Sequence, residues 1–278
     1  MKQLTGRRLK IGALWMILLL IAIQLYSGYQ HAVNPVVKTR TYLFNKSSKH
    51  ADHPPKAVYK LLIASDLHLG YMVDESQLQK YVDLIHEQHA DIVVIDGDLI
   101  DYSLHPLLET GMDEQLRRIV APKGVYLIPG NHDYKGDPQQ NFDWIRQAGM
   151  TILKDSVVNI DNQFLLAGRD DRSRTGRLPM EALVKQDGDV KPVVLCAHQP
   201  GDLPDASRCG VFLAVCGHTH AGQVFPFNLL ERLVYIKAYG DGKLADTHYY
   251  VSSGLGFSGI PLRIATCSEA VVFNIEIY

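Results

Sequence analysis

Cysteine is scarce in this sequence, and the four cysteines are far apart. Cys196, Cys209, Cys216 and Cys267 are too few for the disulfide framework of a small secreted domain, and they lack the paired short spacing of a zinc ribbon. Three of them lie in or near apolar, strand-like runs, where cysteine usually packs as a small buried hydrophobe. The sequence therefore favours buried thiols, and it leaves open a Cys196 to Cys216 or a Cys209 to Cys267 disulfide.

The net charge of the chain is also small. The 278 residues include 28 Lys and Arg against 30 Asp and Glu, which gives a formal net charge of -2. This balance excludes a long acidic tail and gives no sign of a nucleic-acid-binding surface, so we expect no nucleic-acid partner. With 46% hydrophobic residues, the chain has enough apolar side chains to bury a sizeable core.

One long apolar run lies at the amino end of the chain. Four basic residues among the first ten precede a stretch without charged residues from Ile11 to Gln30, which is about the length that a helix needs to cross a bilayer. The following "YSGYQHAVNP" offers no small-x-small cleavage site of a signal peptide. Residues 1–30 are therefore predicted to be an uncleaved, single-pass anchor in an inner or plasma membrane. The excess of positive charge before the run predicts a cytoplasmic amino end and an exported domain.

The segment after the anchor lacks a sustained period. Residues 31–57 contain a Pro-Pro pair near their end, and we interpret them as a linker, with a short strand over residues 41–44 left open. The folded domain is then predicted to cover residues 58–278.

Short apolar runs alternate with helical patterns from Val58 onward. "VYKLLIASD" and "DIVVIDGD" are strand-like, whereas "ESQLQKYVDLIHEQ" between them repeats its apolar residues at helical spacing. Further helices are predicted over residues 106–120, 140–148 and 179–185, and the part after Gly149 is rich in strand patterns. The alternation predicts an α/β fold, with two layered sheets in one domain.

Polar side chains that are able to bind a metal ion follow five of the predicted strands. In chain order they are Asp66 with His68, Asp98, Asn131 with His132, His198, and His218 with His220. Sheets of α/β proteins place their ligands at the carboxyl ends of strands. Each motif alone has an ordinary structural explanation, such as a helix cap, a tight turn or a buried histidine, but five in succession favour one common site.

The chemistry of this set points to a pair of divalent ions. Carboxylates, imidazoles and one amide suit Mn, Fe, Zn or a similar divalent ion. Asp66 and His68 lie two apart on an extended segment and so point to the same side, and His218 and His220 repeat that spacing. Because the set exceeds what one ion requires, we predict two ions that share a carboxylate, about 3.5 to 4 Å apart.

The motifs D-x-H, GD, GNH followed by an acidic residue, a lone His and GHxH resemble, in this order, the calcineurin-like metallophosphoesterase superfamily. The resemblance covers residues 61–220, and "GHTHAGQ" together with the anchor is similar to the bacterial membrane-associated phosphodiesterase branch. It implies a β-sandwich of two mixed sheets flanked by helices, here preceded by one N-terminal transmembrane helix.

The resemblance also implies a role for each residue. Asp66, His68 and His220 would bind the first metal ion, Asn131, His198 and His218 the second, and Asp98 both. His132 would bind neither ion, and would instead stabilise the phosphoryl group and protonate the leaving oxygen. The implied reaction is attack on phosphorus by a hydroxide held between the ions.

The implied substrate is a phosphodiester or a diphosphate. The anchor favours a lipid-linked substrate over a soluble phosphorylated small molecule. A phosphomonoesterase or nucleotide phosphodiesterase of the same mechanism and a non-catalytic metal-binding scaffold are the alternatives. Scaffold members of the superfamily usually lose a ligand or the catalytic histidine, and because this sequence keeps the full pattern, an enzyme is favoured.

Three further features have open roles. "GRDDRSRTGR", residues 168–177, brings four arginines together, either to bind a phosphate or lipid head group or as an ordinary charged loop. Asp133 either orients His132 or lies at the surface of its turn. "VSSGLGFSGIPLR", residues 251–263, lines the site or a membrane-facing mouth, or only joins two strands.

Overall fold

The structure is a computed structural model, and it describes residues 2–44, 54–186 and 190–278. The helices in these ranges are α1 (Lys2–Val33), α2 (Glu75–Glu87), α3 (His105–Thr110), α4 (Met112–Leu116), α5 (Pro138–Gln147), α6 (Met180–Leu183), α7 (Leu203–Arg208) and α8 (Phe227–Val234). The strands are β1 (Val36–Phe44), β2 (Ala57–Ala64), β3 (Ile92–Asp96), β4 (Val125–Ile128), β5 (Thr151–Ile152), β6 (Ser156–Ile160), β7 (Phe164–Gly168), β8 (Val193–Cys196), β9 (Leu213–Cys216), β10 (Gly240–Leu244), β11 (Thr247–Val251) and β12 (Glu269–Ile277).

Two six-stranded mixed sheets form the centre of the domain. The first has the order β1-β12-β2-β3-β4-β5, and the second has the order β10-β11-β9-β8-β7-β6. Strands β2 to β5 are parallel to one another, and so are β7, β8, β9 and β11. The parallel strands of each sheet therefore present their carboxyl ends along one edge.

The sheets pack face to face and helices cover their outer faces. Leu61 and Val94 of the first sheet share a buried cluster with Phe164 and Val215 of the second. A second cluster joins the outer face of the first sheet to α2, α4 and α5, and a third joins the second sheet to α6 and α7. The predicted α/β sandwich of two mixed sheets flanked by helices is confirmed.

The apolar helix α1 is longer than the predicted anchor. It ends at Val33, and the span Lys10–Val33 is long and apolar enough to cross a membrane, with a mean hydropathy of 2.0. Its last turn packs on the domain, where Ala32 is fully buried. Ser268 Oγ donates to the Ala32 carbonyl at 2.8 Å and Gln77 Nε2 donates to the Val33 carbonyl at 2.9 Å. The helix is therefore fixed to the domain at its carboxyl end.

The interpretation of residues 31–57 as a linker is wrong for Val36–Phe44. This segment is the edge strand β1, which pairs in parallel with β12 from Val36 opposite Glu269 to Phe44 opposite Ile277. The strand is half-exposed along most of its length, as an edge strand is, so its apolar periodicity is weak. Only its pairing with a strand more than 200 residues later defines it.

The helix predicted over residues 106–120 is two short helices, α3 and α4. Gly111 separates them, with φ 66° and ψ 34°. This left-handed conformation ends a helix at little cost only at glycine. The helices predicted over residues 140–148 and 179–185 correspond to α5 and to the shorter α6.

Candidate metal centre

The seven candidate ligands come from the loops that follow β2, β3, β4, β8 and β9. Five of them adopt a positive φ: Asp66 (56°), His68 (50°), Asp98 (51°), His218 (70°) and His220 (49°). Such a conformation costs a non-glycine residue about 1–3 kcal/mol and persists only where its surroundings hold it. Here the Asp66 amide donates to the Gly97 carbonyl at 3.0 Å and the His68 amide to the Asp98 carbonyl at 2.9 Å.

Glycines let these loops approach one another. A Cβ on Gly97, whose φ is +79°, would lie 2.3 Å from His198 Nδ1, and a Cβ on Gly217 would lie 2.4 Å from Asp66 Oδ2. Both distances are far inside van der Waals contact. The glycine that precedes Asp98 and the glycine that precedes His218 are therefore required by the packing of the site.

Within the described residues, the side chains form three overlapping clusters of potential metal ligands. They are Asp66 with His68 and His220, His68 with Asp98 and His132, and Asp98 with His198 and His218, and in each the ligand atoms lie within 4.8 Å of one another. Asp98 belongs to two of these clusters and lies between their other members.

Nitrogen and oxygen atoms lie close to one another inside the clusters. His68 Nε2 lies 3.0 Å from His220 Nε2, and Asp98 Oδ2 lies 3.2 Å from His198 Nε2 and 3.8 Å from His68 Nε2. Asp66 Oδ1 lies 3.5 Å from His220 Nε2. Nitrogen and oxygen atoms thus converge from three sides, as ligand atoms around a cation do.

Two buried polar atoms support the same interpretation. Among the described residues, Asn131 Oδ1 and His198 Nε2 make no hydrogen bond. The contacts of His198 Nε2 are with carboxylates, 3.2 Å to Asp98 Oδ2 and 3.8 Å to Asp66 Oδ1. A buried polar atom without a hydrogen bond costs about 1–3 kcal/mol. His198 is oriented from behind, because its Nδ1 lies 2.8 Å from the Asp96 carbonyl. Asn131 is held through its neighbour, since the His132 amide donates to Asp98 Oδ1 at 2.7 Å. The donor set fits divalent metal ions.

The electrostatics of the site differ from one ligand to the next. Burial would lower the pKa of His198, but the charge of Asp98 and the close contact with its carboxylate raise that pKa well above its usual value. Burial lowers the pKa of His220 well below its usual value, and the positive charges of His68 and Arg263 lower it further. Burial would raise the pKa of Asp98, but His198 and His68 hold it well below its usual range. A neutral imidazole and an ionised carboxylate are the forms that bind metal ions.

Asp101 connects a candidate ligand with the candidate acid. Its Oδ1 lies 3.0 Å from His68 Nδ1 and 3.0 Å from His132 Nδ1, and its carbonyl lies 2.7 Å from His132 Nδ1. Burial lowers the pKa of His132, but the hydrogen bond to Asp101 and the charge of Asp98 raise it by more, so that the net shift is upward. Sequence reasoning missed Asp101, although it lies in the "GDLID" motif.

Lys135 lies beside the ring of His132, with its Nζ 3.1 Å from Nδ1. Its Nζ is 2.8 Å from His132 Nε2 and 3.8 Å above the centre of the Tyr102 ring. The ammonium group therefore adds a positive charge beside the clusters. The signal in the sequence is only a lysine three residues after His132, which no motif marks as functional.

Neither role predicted for Asp133 is correct. The side chain is fully buried and its oxygens accept from the amides of Asp98 at 3.0 Å, Leu99 at 3.0 Å, Ile100 at 3.1 Å and Gly130 at 2.8 Å. Asp133 thus holds the loop after β3 against the loop after β4. It positions the backbone of Asp98 rather than the ring of His132.

The glycine-rich segment 251–263 lies against the site. Arg263, which is fully buried, donates to the Ser253 carbonyl at 2.6 Å, to the Gly256 carbonyl at 2.7 Å and to the His220 carbonyl at 3.1 Å. Its Nη2 also lies 3.3 Å from His220 Nδ1. The segment therefore supports a candidate ligand from behind.

Three arginines of the loop over residues 168–177 converge on one buried carboxylate outside the loop. Arg169, Arg172 and Arg177 all face the buried carboxylate of Asp202, and Arg174 lies 4.6 Å from the centre of the Tyr134 ring. All four cysteines, which lie inside the described ranges, are free thiols, and Cys196 and Cys216 are buried in β8 and β9. The predicted buried thiols are confirmed for these two strands.

A family model for the calcineurin-like phosphoesterases matches residues 59–222, which is more than half of the chain and includes every candidate ligand. The chain belongs to the calcineurin-like phosphoesterase family. The resemblance carried by the five sequence motifs is thereby confirmed.

Relatives occur in bacteria and animals. A Helicobacter pylori protein named uncharacterized metallophosphoesterase is 30% identical over 87% of this chain and 64% of its own length. A Danio rerio protein named transmembrane protein with metallophosphoesterase domain is 34% identical over 76% of this chain and 51% of its own length. The Bacillus subtilis metallophosphoesterase YkuE is 28% identical over 78% of this chain and 79% of its own length. The chain thus spans less than two thirds of the first two relatives.

Among solved structures, a 5′-nucleotidase precursor from Thermus thermophilus superimposes with a TM-score of 0.49 at 13% identity. The match covers 80% of this chain and 55% of that chain.

Proposed function

We propose that this protein is a membrane-anchored phosphodiesterase that works with two divalent metal ions. The observation that carries the proposal is the convergence of side chains from five strand ends into three overlapping clusters, in which His68 joins the first to the second and Asp98 joins the second to the third. Membership of the calcineurin-like phosphoesterase family supports metal-dependent cleavage of a phosphoric ester.

In this proposal each ion has its own ligands and one is common. Asp66, His68 and His220 would hold the first ion, Asn131, His198 and His218 would hold the second, and Asp98 would be the carboxylate common to both sets. A bound pair of divalent ions supplies positive charge for the phosphoryl oxygens and lowers the pKa of a bound water. Mn, Fe and Zn all suit this mixed set of nitrogen and oxygen ligands.

His132 acts as the general acid. Asp101 Oδ1 lies 3.0 Å from its Nδ1, and its Nε2, which contacts Lys135 Nζ in this structure, is the nitrogen that would give its proton to the leaving oxygen. The raised pKa favours the imidazolium form, which is the form that a proton donor requires. Lys135, with Nζ 2.8 Å from Nε2, provides a cation for the phosphoryl oxygens on the same side.

The apolar helix supports a proposal for the substrate class and the place of action. The apolar span Lys10–Val33, together with relatives whose names call them transmembrane proteins, supports membrane association. Basic residues are concentrated before this span, so we place the amino end in the cytoplasm and the domain on the exported side of an inner or plasma membrane. A lipid-linked phosphodiester or diphosphate is then the natural substrate class.

Hydrolysis of model esters by the full chain in detergent tests the proposal. The assay compares bis-p-nitrophenyl phosphate, a glycerol phosphodiester and p-nitrophenyl phosphate with and without Mn²⁺. We expect Mn²⁺-dependent cleavage of the diesters in preference to the monoester. Cleavage that does not depend on metal contradicts the proposal, and preference for the monoester replaces phosphodiesterase by phosphomonoesterase.

Two variants separate the acid from the rest of the site. His132→Ala is expected to lower cleavage of the glycerol diester by about 10²- to 10⁴-fold, and to lower cleavage of the nitrophenyl diester less, because nitrophenolate departs without a proton. His105→Ala is the matched control, since the side chain of His105 is exposed and pairs with Glu109 on its own helix. Equal losses for both diesters contradict the role of His132 as an acid.

A further inference from the structure

Helix α8 has its apolar side turned outward. Five of its eight residues are large hydrophobics with high fractional exposure: Phe227 59%, Leu229 49%, Leu230 54%, Leu233 83% and Val234 73%. At 3.6 residues per turn these side chains fall within an arc of about 160°, and the polar residues of the helix occupy the remainder. A helix on the surface of a soluble domain shows the opposite arrangement, with its apolar side buried.

The polar side of α8 lines a cavity beside the candidate metal centre. Asn228 and Arg232 share a cavity of about 470 Å³ with Tyr235 and Lys237 from the segment that follows. The ring of Tyr235 lies 6.2 Å from the ring of His218. Two cations thus face a space next to a candidate ligand, which suits an anionic group.

Helix α8 also adjoins the end of α1. The residue pair Val224 and Ile264 forms a parallel bridge just before the helix, and the Phe225 amide donates to the Ile264 carbonyl at 3.2 Å. On the other side of this segment, the Arg263 amide donates to the Gly28 carbonyl of α1 at 2.9 Å. One short segment therefore separates α8 from the apolar helix.

The length of α1 places this junction at the edge of a bilayer. From Lys10 to Gly28 the helix rises roughly 27 Å at 1.5 Å per residue, against a hydrocarbon thickness of about 30 Å. Tyr26 and Tyr29 lie within one helical turn of Gly28 and are exposed. Aromatic residues are common at the membrane interface. Phe225 and Ile260, exposed by 54% and 60%, continue the apolar surface from this level to α8.

We propose that α8 lies in the interface of the membrane that α1 spans, with its apolar side toward the acyl chains. This inference rests on the proposed function in one respect, the insertion of α1 in a bilayer. Continuity with α1 favours a lipid bilayer over a second copy of the chain as the partner of this surface. An amphipathic helix of this kind buries its apolar side at the boundary between head groups and acyl chains. The cavity on its polar side then opens at the level of the lipid head groups, so that the substrate class is a phosphoric ester carried by a membrane lipid.

Fluorescent labelling of the full chain in phosphatidylcholine and phosphatidylglycerol vesicles tests this placement. Leu233→Cys is labelled with an environment-sensitive dye after Cys209 and Cys267 have been changed to serine. Val120→Cys is the matched control, since Val120 is 72% exposed and precedes β4, at the end of the sheet away from the site. We expect blue-shifted emission at position 233, with quenching by nitroxides on the acyl chains, and neither effect at position 120.

Two results would overturn the placement. One is an emission wavelength at position 233 equal to that at position 120, while acyl-chain nitroxides quench a label on Leu18→Cys in α1. The other is shielding of position 233 without acyl-chain quenching, together with cross-linking between two labelled chains, which assigns the surface to a second copy. Neither result depends on catalysis, so failure here is distinct from failure of the phosphodiesterase assay.

A second experiment tests the substrate class. The triple variant Leu230→Ser, Leu233→Ser and Val234→Ser is assayed on bis-p-nitrophenyl phosphate in solution and on a nitrophenyl phosphodiester of diacylglycerol in vesicles. We expect unchanged turnover of the soluble ester and a loss of about tenfold or more on the vesicle-bound ester. Equal rates on the vesicle-bound ester for the variant and the natural chain would refute the inference.

Discussion

Replacing Asp101 by asparagine removes one negative charge from two hydrogen bonds that hold the candidate site. Asp101 Oδ1 lies 3.0 Å from His68 Nδ1 and 3.0 Å from His132 Nδ1. Burial raises the pKa of Asp101, but the hydrogen bonds from His132 and His68 lower it to about 2, so that the carboxylate is ionised throughout the neutral range. The asparagine has nearly the same shape, and it keeps the hydrogen bond that the backbone carbonyl of residue 101 accepts from His132 Nδ1.

The expected loss follows from the two hydrogen bonds. A bond to a charged partner is worth about 1 kcal/mol more than a neutral one, so the two together contribute about 2 kcal/mol to the arrangement of the site. That free energy corresponds to about 30-fold in rate. We therefore expect kcat for the glycerol diester to fall about 30-fold in Asp101→Asn, with weaker binding of the metal held by His68.

The pH dependence gives a second readout with a definite sign. Asp101 raises the pKa of His132, and the acid must be protonated to act, so activity falls as the pH rises through this pKa. In Asp101→Asn the pKa of His132 is lower, and the alkaline limb of the kcat profile moves to lower pH. Asp113→Asn, which breaks only a surface pair with Arg117, is the control. Activity within twofold of the natural chain and an unmoved alkaline limb would refute this account of Asp101.

Further predictions concern the backbone of the site and the edge of the sheet. Asp133→Ala leaves four buried amides without their acceptor, so we expect a loss of about 4 kcal/mol in the free energy of unfolding. Urea denaturation measures this loss, with the exposed Asp143→Ala as the control. A loss below 1 kcal/mol, about the net worth of one hydrogen bond, contradicts the role of Asp133. Gly97→Ala places a methyl group 2.3 Å from His198 Nδ1 and should reduce the metal content measured by mass spectrometry. An unchanged metal content would show that the loops after β3 and β8 do not need this close contact. Deleting residues 1–44 removes β1 and uncovers β12, so the shortened domain should aggregate in size-exclusion chromatography, whereas a stable monomer would show that β1 is dispensable.

Local sequence patterns were sufficient to predict those features that depend on a single helix or strand. The strands that deliver Asp66, Asp98 and His198 are short apolar runs that end in polar residues. Asp66 and Asp98 follow strands of the first sheet and His198 follows a strand of the second. The amphipathic period of α2 is equally local, and its buried face contains Leu78, Tyr81, Val82 and Ile85 as the spacing predicts. For these parts the sequence pattern and the structure agree.

Contacts between distant loops could not be read in this way. Asp101 acts on His132 because the loop after β3 turns back toward the loop after β4, and Asp133 is enclosed by amides from the first of these loops. Strand β1 depends on a partner more than 200 residues away. For α8 the apolar period is visible in "FNLLERLV", yet only the structure shows that its polar side is the one turned toward the domain.

Titration of the metal-free full chain with Mn²⁺ tests the central claim most directly, when bound metal and hydrolysis of bis-p-nitrophenyl phosphate are followed in the same samples. The account predicts that activity rises to its maximum as two ions bind per chain, and that Asp98→Ala, which removes the shared ligand, binds fewer ions and loses activity. Full activity with one ion per chain, or two bound ions without hydrolysis of any phosphodiester, would contradict it.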